Sequence, residues 1–146
     1  MGIKTCLALA LLLCGTVFAD DMSDRAKLLG SWLPEGDSGQ GVAAWSFNRQ
    51  GDSMEVTETE SGNKVAEFKC GTDGKSCEVK ISGKKATVSF WYNGPKLVEL
   101  EAQGSGVIER RFAPGDGSME VEVVPMVPSG KTETTKFKRS ALASAK

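Results

Sequence analysis

The sequence predicts an all-β fold: a single antiparallel up-and-down meander of about nine strands with a short helix at the amino-terminal end. From Val42 onward, turn signals made of Gly, Asn, Asp and Ser recur about every ten residues, which is typical of short strands joined by hairpins. Between the turns, apolar and polar residues alternate, as in strands that bury one face. The turn signals are Gly51-Asp52, Gly62-Asn63, Asp73-Gly74, Gly83, Asn93-Gly94, Gly104 to Gly106, Asp116-Gly117 and Ser129-Gly130.

The first 19 residues have the order of an export signal. Lys4 provides the positive end, an apolar run begins at Cys6, and small residues precede a cleavage point between Ala19 and Asp20. We therefore expect residues 1–19 to be a signal peptide and the mature protein to be secreted or periplasmic.

A membrane anchor and a lipoprotein signal are the two alternative roles of this segment. A membrane anchor needs about 20 apolar residues, and the apolar stretch from Cys6 to Ala19 is shorter. A lipoprotein with an acylated Cys14 would normally have a small residue before the cysteine, whereas Leu13 stands there. We expect no transmembrane span in the mature protein, with the lipoprotein as the minor alternative.

The remaining chain is divided into three segments. Residues 20–41 are expected to hold a short amphipathic helix, Met22 to Trp32, and a linker rich in glycine, proline and acidic residues. Residues 42–139 are the antiparallel β domain, and residues 140–146 are a polar tail expected to fray.

Charge and composition argue against several functional classes. The 18 basic and 19 acidic residues are interspersed, so no basic block indicates a nucleic-acid partner. The chain has no histidine and therefore lacks the usual general base near neutral pH and the commonest metal ligand. We expect no catalytic residue, no metal and no cofactor, and thus a protein that is not an enzyme.

The cysteines left after signal cleavage are Cys70 and Cys77. An even pair in an exported chain predicts a disulfide, and two thiolates without histidine make a poor zinc site. The alternation places Cys70 in phase with Phe68, and Cys77 in phase with Val79. A bridge between the two cysteines would fix the strand register across their turn.

Large apolar side chains and one arginine are the candidates for an interior site. The aromatic residues fit either a packed core or the wall of a cavity. Arg110 lies between Ile108 and Phe112 on the face expected to be apolar. An inward arginine could hold a carboxylate ligand. A bulge that turns it outward, a place at the rim, and pairing with a protein carboxylate are the alternatives, and together we favour them over a ligand. The aromatic residues are Trp45, Phe47, Phe68, Phe90 and Tyr92.

Two pairs of glutamates could in principle hold a proton or a cation. Glu99 and Glu101, like Glu120 and Glu122, alternate with apolar residues. An outward polar face explains this alternation more simply, so we expect all four carboxylates in solvent. The loops Gly115 to Gly117 and Asp73-Gly74 have too few acids for calcium and are expected to be turns.

The chain resembles lipocalin-like secreted bacterial domains. The resemblance rests on Leu28 to Trp32 at the entrance, the meander, and Lys136 to Arg139 at the end. In lipocalins and their fatty-acid-binding relatives, a Gly-x-Trp packs under a closed barrel and an arginine of the last strand lies against the tryptophan; Gly30, Trp32 and Arg139 match these positions. The chain lacks the relatives' helix pair and their long carboxy-terminal helix.

This resemblance implies an exported, non-enzymatic barrel that binds a small apolar or carboxylated molecule. The candidate contacts are Arg110, Arg139, Trp45, Phe68, Phe90 and Tyr92. The alternative is a protein-interaction module with an envelope partner, such as a hydrolase inhibitor or an envelope-associated structural factor, acting through a hairpin loop or the face of Trp91. An open meander or a two-sheet sandwich would satisfy the same alternation.

Overall fold

The computed structural model describes residues 17–36 and 43–140, with side chains from Asp21 onward. Most of the predicted signal peptide, part of the linker and nearly all of the tail lie outside these ranges. The one helix described is α1 (Val17–Ala26), so the predicted cleavage point lies within it and stays a prediction. The strands are β1 (Gly30–Pro34), β2 (Ala43–Gln50), β3 (Ser53–Glu60), β4 (Asn63–Gly71), β5 (Cys77–Ile81), β6 (Lys84–Asn93), β7 (Lys96–Gln103), β8 (Gly106–Pro114), β9 (Ser118–Val127) and β10 (Glu133–Arg139).

All ten strands belong to one antiparallel sheet in the order β4-β3-β2-β1-β10-β9-β8-β7-β6-β5. Because β1 pairs with both β2 and β10, the first and last parts of the meander join. The sheet curls into a nearly closed barrel whose two edges are β4 and β5. The predicted all-β meander is confirmed, with one strand more than expected.

The additional strand is β1, which lies where the sequence indicated a helix and linker. The helix ends at Ala26 rather than at Trp32, and the barrel begins at Gly30. Gly30 has a φ of 115°, which favours glycine and breaks the helical path. Trp32 instead pairs with Trp45 of β2 and Arg139 of β10.

A contact between Trp32 and Arg139 lies at the end of the barrel next to α1. The Arg139 guanidinium carbon lies 4.4 Å from the Trp32 ring centroid. Arg139 also donates hydrogen bonds to the carbonyls of Leu29 (2.7 Å) and Lys27 (2.6 Å). A Cβ at Gly30 would lie 2.9 Å from the guanidinium, so this close approach requires glycine. The predicted Gly-x-Trp and arginine contact is confirmed.

The seam between β4 and β5 is joined at both ends. At one end, Cys70 and Cys77 form the predicted disulfide, with their Cα atoms 5.9 Å apart. At the other, β4 has one extra residue, Val65, opposite β3, and its carbonyl accepts a hydrogen bond from the Ser82 N–H (2.8 Å). The seam is therefore a short unpaired stretch of the wall between two fixed points.

The phase of β7 corrects the sequence interpretation. Glu99 and Glu101 face the interior and are buried, although we expected both in solvent. The reason is the sheet register, which places Glu99 directly opposite Arg110 of β8. Val98 and Leu100 therefore lie on the opposite face of β7, where Val98 is nevertheless buried and Leu100 is half-buried. Of the other pair, Glu120 is exposed as expected, and Glu122 lies on the outer face against Arg111.

Candidate functional site

A cavity of about 350 Å³ lies inside the barrel, at the end away from α1. Strands β2 and β3 form one side of it, and strands β8 to β10 form the other. Its wall combines apolar and aromatic side chains with carboxylates and one guanidinium. The lining residues are Ala43, Trp45, Glu58, Glu60, Arg110, Val121, Val123, Glu133, Thr135 and Phe137.

Arg110 points inward and is paired with two protein carboxylates. Its Nη1 donates hydrogen bonds to Glu99 Oε1 and to Glu101 Oε2, both at 2.5 Å. Its guanidinium carbon lies 5.4 Å from the Trp45 ring centroid. The pairing of β8 with β9 does shift near this point, between Val107 and Ile108, where β9 has the extra residue Met126, but this shift does not turn Arg110 outward. Pairing with protein carboxylates therefore explains the inward arginine.

Burial and opposite charge determine the protonation of this pair. The side chain of Glu99 is 1% exposed, and burial raises its pKa, while Arg110 opposes the increase. Burial lowers the pKa of Arg110, but the carboxylates of Glu99 and Glu101 outweigh this and raise it. The guanidinium stays charged at any pH at which the protein is folded.

Glu58 is a third buried carboxyl group, and it has no direct partner within residues 17–36 and 43–140. It is 9% exposed, and none of the described residues forms a hydrogen bond or a salt bridge with its side chain. Burial raises its pKa to about 7; Arg110 acts against this increase, whereas Glu99 and Glu101 add to it. The sequence contained a sign of its position, since Glu58 continues the inward phase of Met54 and Val56.

The residues predicted to contact a ligand do not form one cluster. Arg110 and Trp45 lie together at the cavity. Phe68 and Phe90 stack on each other near the seam, with ring centroids 6.1 Å apart. These two rings pack as part of the interior.

Tyr92 and Arg139 lie at the end next to α1. Arg25 of α1 covers the Tyr92 ring at 4.4 Å, and burial raises the pKa of Tyr92. Arg139 is engaged by backbone carbonyls and by Trp32. Through these contacts both residues stabilise the end of the barrel next to α1.

Two larger recesses lie elsewhere on the barrel. One, of about 450 Å³, is formed between α1 and the nearby strand ends and includes Trp91 and Tyr92. The other, of about 720 Å³, follows the seam beside Phe68 and Val79. The charged side chains of these two recesses are exposed or half-buried. The smaller cavity has two exposed carboxylates, Glu60 and Glu133, but it also contains the buried Glu58 and the inward Arg110. We therefore take the smaller cavity as the candidate site.

Glu58 makes the stability of the fold depend on pH. Its pKa rises from an ordinary 4.5 to about 7 on folding, so between these values the folded state holds a proton that the unfolded state has lost. Stability contributed by this group therefore falls as pH rises through that window. Glu58→Gln is expected to stabilise the protein by about 2 to 3 kcal/mol at pH 8 and to have little effect at pH 4.

Urea unfolding at pH 4 and pH 8 measures this difference. Glu120→Gln on the outer face of β9 is the matched control and should leave stability nearly unchanged at both pH values. An equal effect of Glu58→Gln at the two pH values would contradict a raised pKa.

Comparison with solved structures identifies the class of fold. A REP1-NXSQ fatty acid transporter aligns with a TM-score of 0.63 and 16% identity, over 79% of this chain and 97% of the transporter. A secretory abundant heat soluble protein from Ramazzottius varieornatus aligns with a TM-score of 0.64 and 13% identity, over 78% and 96% of the two chains. A Schistosoma mansoni fatty acid binding protein in complex with arachidonic acid aligns with a TM-score of 0.62 and 15% identity, over 81% and 99%.

These similarities show that the chain has the antiparallel β-barrel fold of these solved structures. No protein-family model matches the sequence, and no curated protein matches it. Within residues 17–36 and 43–140, no helix has the length and apolar character needed to cross a bilayer. The same part of the chain contains no group of three or more His, Cys, Asp or Glu side chains arranged to hold a metal ion.

Proposed function

We propose that this protein is a non-enzymatic barrel that binds a small, mainly apolar molecule in the cavity beside Trp45. The observation that carries the proposal is the cavity itself. Its volume of about 350 Å³ lies within the usual range of ligand pockets, about 300–1,000 Å³. Apolar walls with a few polar groups are typical of such pockets.

The barrel neighbours add support from the fold. Two of them are described as a fatty acid transporter and a fatty acid binding protein, which favours a molecule with an apolar chain. Fold likeness alone does not identify a ligand. Arg110 already donates to Glu99 and Glu101, so the proposal does not assign it to a carboxylated ligand.

We further propose that the protein acts after export, in a secreted or periplasmic location. The signal-like order of residues 1–19 and the disulfide between Cys70 and Cys77 support this location, because disulfides persist in oxidising compartments. The protein-interaction alternative stays a prediction.

A paired substitution on β9 tests the proposed binding. Val123 faces the cavity, opposite Arg110, whereas Val124 faces outward, opposite Glu109. Val123→Phe should reduce the affinity for a neutral apolar probe by about tenfold or more, because the ring occupies cavity volume. Val124→Phe makes the same chemical change on the outer face and should leave affinity nearly unchanged.

The measurement is the fluorescence of Nile red as it binds, followed by its displacement with octan-1-ol. Circular dichroism verifies that both variants fold. Failure of the wild-type protein to bind either molecule, or equal effects of the two substitutions, would contradict the proposal.

A further inference from the structure

We propose that the cavity beside Trp45 selects ligands whose polar end is an organic cation, such as a protonated amine, and that this cation pairs with Glu58. This inference rests on the proposed function and adds to it the charge of the ligand. Three features of the cavity carry it: an excess of carboxylates, an arginine that is already paired, and a buried carboxyl group that has no partner among the described residues.

Acidic groups predominate among the charged residues that face Glu58, and Arg110 on β8 is the exception. Arg110 is the one cation in the described wall of the cavity, and its Nη1 is shared by two carboxylates. An anionic ligand would therefore enter a site with more negative than positive groups. The charged residues that face Glu58 are Glu60 on β3, Glu99 and Glu101 on β7, Arg110 on β8 and Glu133 on β10.

Within the described part of the chain, Glu58 is a buried acceptor that lacks a donor. It lines the cavity and is 9% exposed, yet no donor among the described residues binds its side chain. Burial of an ionised carboxylate is costly unless a partner compensates it. A cationic donor in the cavity would supply that partner and form a charge-assisted hydrogen bond, which is about twice as strong as a neutral one.

The rest of the cavity fits the apolar part of such a ligand. Trp45, Val121 and Phe137 are buried residues of its wall, and an aromatic ring is also a favourable neighbour for an organic cation. Because these apolar and aromatic side chains lie beside Glu58 in the same wall, the cation is expected to be organic.

Three probes with the same octyl chain test the selectivity. Octylamine, octan-1-ol and octanoate are titrated into the wild-type protein by calorimetry at pH 8.5, where Glu58 is ionised, and at pH 5.5, where it is mostly protonated. Octylamine is charged at both pH values, since alkylamines resemble lysine with a pKa of about 10.4. At pH 8.5 we expect the affinity for octylamine to be higher than that for either of the other two probes by at least about tenfold. At pH 5.5 this preference should decrease severalfold.

Glu58→Gln keeps the shape of the side chain and removes its charge. It should abolish most of the preference for octylamine at pH 8.5, together with the pH dependence, while octan-1-ol still binds. Glu120→Gln, on the exposed outer face of β9, should behave like the wild-type protein. Retention of octan-1-ol binding by Glu58→Gln separates loss of the cation site from loss of the fold.

The outcomes distinguish this inference from the proposed function. If octan-1-ol binds but octylamine is no tighter, or if octanoate is the tightest probe, the cation site is wrong and the apolar cavity stands. If none of the three binds, the proposed function itself fails. A preference for octylamine that Glu58→Gln does not change would also overturn the assignment to Glu58.

Discussion

Replacing Arg110 with methionine is expected to destabilise the protein by about 3 to 5 kcal/mol at pH 8, because it leaves buried carboxylates without their cation. Glu99 and Glu101 both accept hydrogen bonds from Arg110 at 2.5 Å, and both are nearly inaccessible to water. Methionine keeps much of the aliphatic volume of arginine, so the loss of stability would result mainly from removal of the positive charge. Urea unfolding at constant ionic strength measures it.

The same variant should lose less stability at pH 4 than at pH 8. Burial raises the pKa of Glu99, and removal of the guanidinium would raise it further, so this carboxyl group would fold in its neutral form at acidic pH. A triple variant that adds Glu99→Gln and Glu101→Gln should recover part of the lost stability at pH 8. A loss below about 1 kcal/mol for Arg110→Met, within the range of a surface ion pair, would contradict the buried network.

Replacing Trp32 with alanine is the second change with a large expected effect, a loss of about 3 to 5 kcal/mol. Trp32 is fully buried, its indole N–H donates to the Leu28 carbonyl at 2.8 Å, and its ring supports Arg139. The substitution would leave a cavity at the end of the barrel next to α1 and remove the surface on which the guanidinium lies. Thermal or urea unfolding by circular dichroism measures the loss.

A double-mutant cycle tests whether Trp32 and Arg139 act together. Arg139→Met alone should be destabilising, because the guanidinium binds the Leu29 and Lys27 carbonyls. In the Trp32→Ala background the same substitution should reduce stability by clearly less, because the effects of substituting two residues in contact are not additive. Trp91→Ala, at a half-buried tryptophan away from this contact, is the control and should be additive with Arg139→Met. Full additivity of Trp32→Ala and Arg139→Met would contradict the coupling.

Local patterns in the sequence predict most of this fold. Glycine-rich turns at regular spacing mark hairpins wherever they occur in a chain, and the alternation between them indicates strands. The bridge between Cys70 and Cys77 followed from two residues in phase across one turn. The contact between Trp32 and Arg139 followed from the family resemblance. Each of these features depends on near neighbours or on a recognisable motif.

The predictions from the sequence were wrong where pairing between strands that are distant in the chain determines the structure. Gly30 to Pro34 become a strand because β2 and β10 lie on either side of them, which no local pattern indicates. The inward direction of Glu99 depends on its register with Arg110. When that partner is unknown, an acidic residue between apolar neighbours is predicted to be exposed. Glu58 was missed for the same reason, although it was in phase with Met54 and Val56.

The central claim is that the cavity beside Trp45 and Glu58 receives a small molecule. A crystal structure of the protein grown at pH 8.5 with octylamine tests this most directly. The account predicts the alkyl chain inside the barrel against Trp45, with the amine nitrogen within hydrogen-bond distance of the Glu58 carboxylate. A cavity filled by protein side chains, or octylamine bound only on the outside of the barrel, would contradict it.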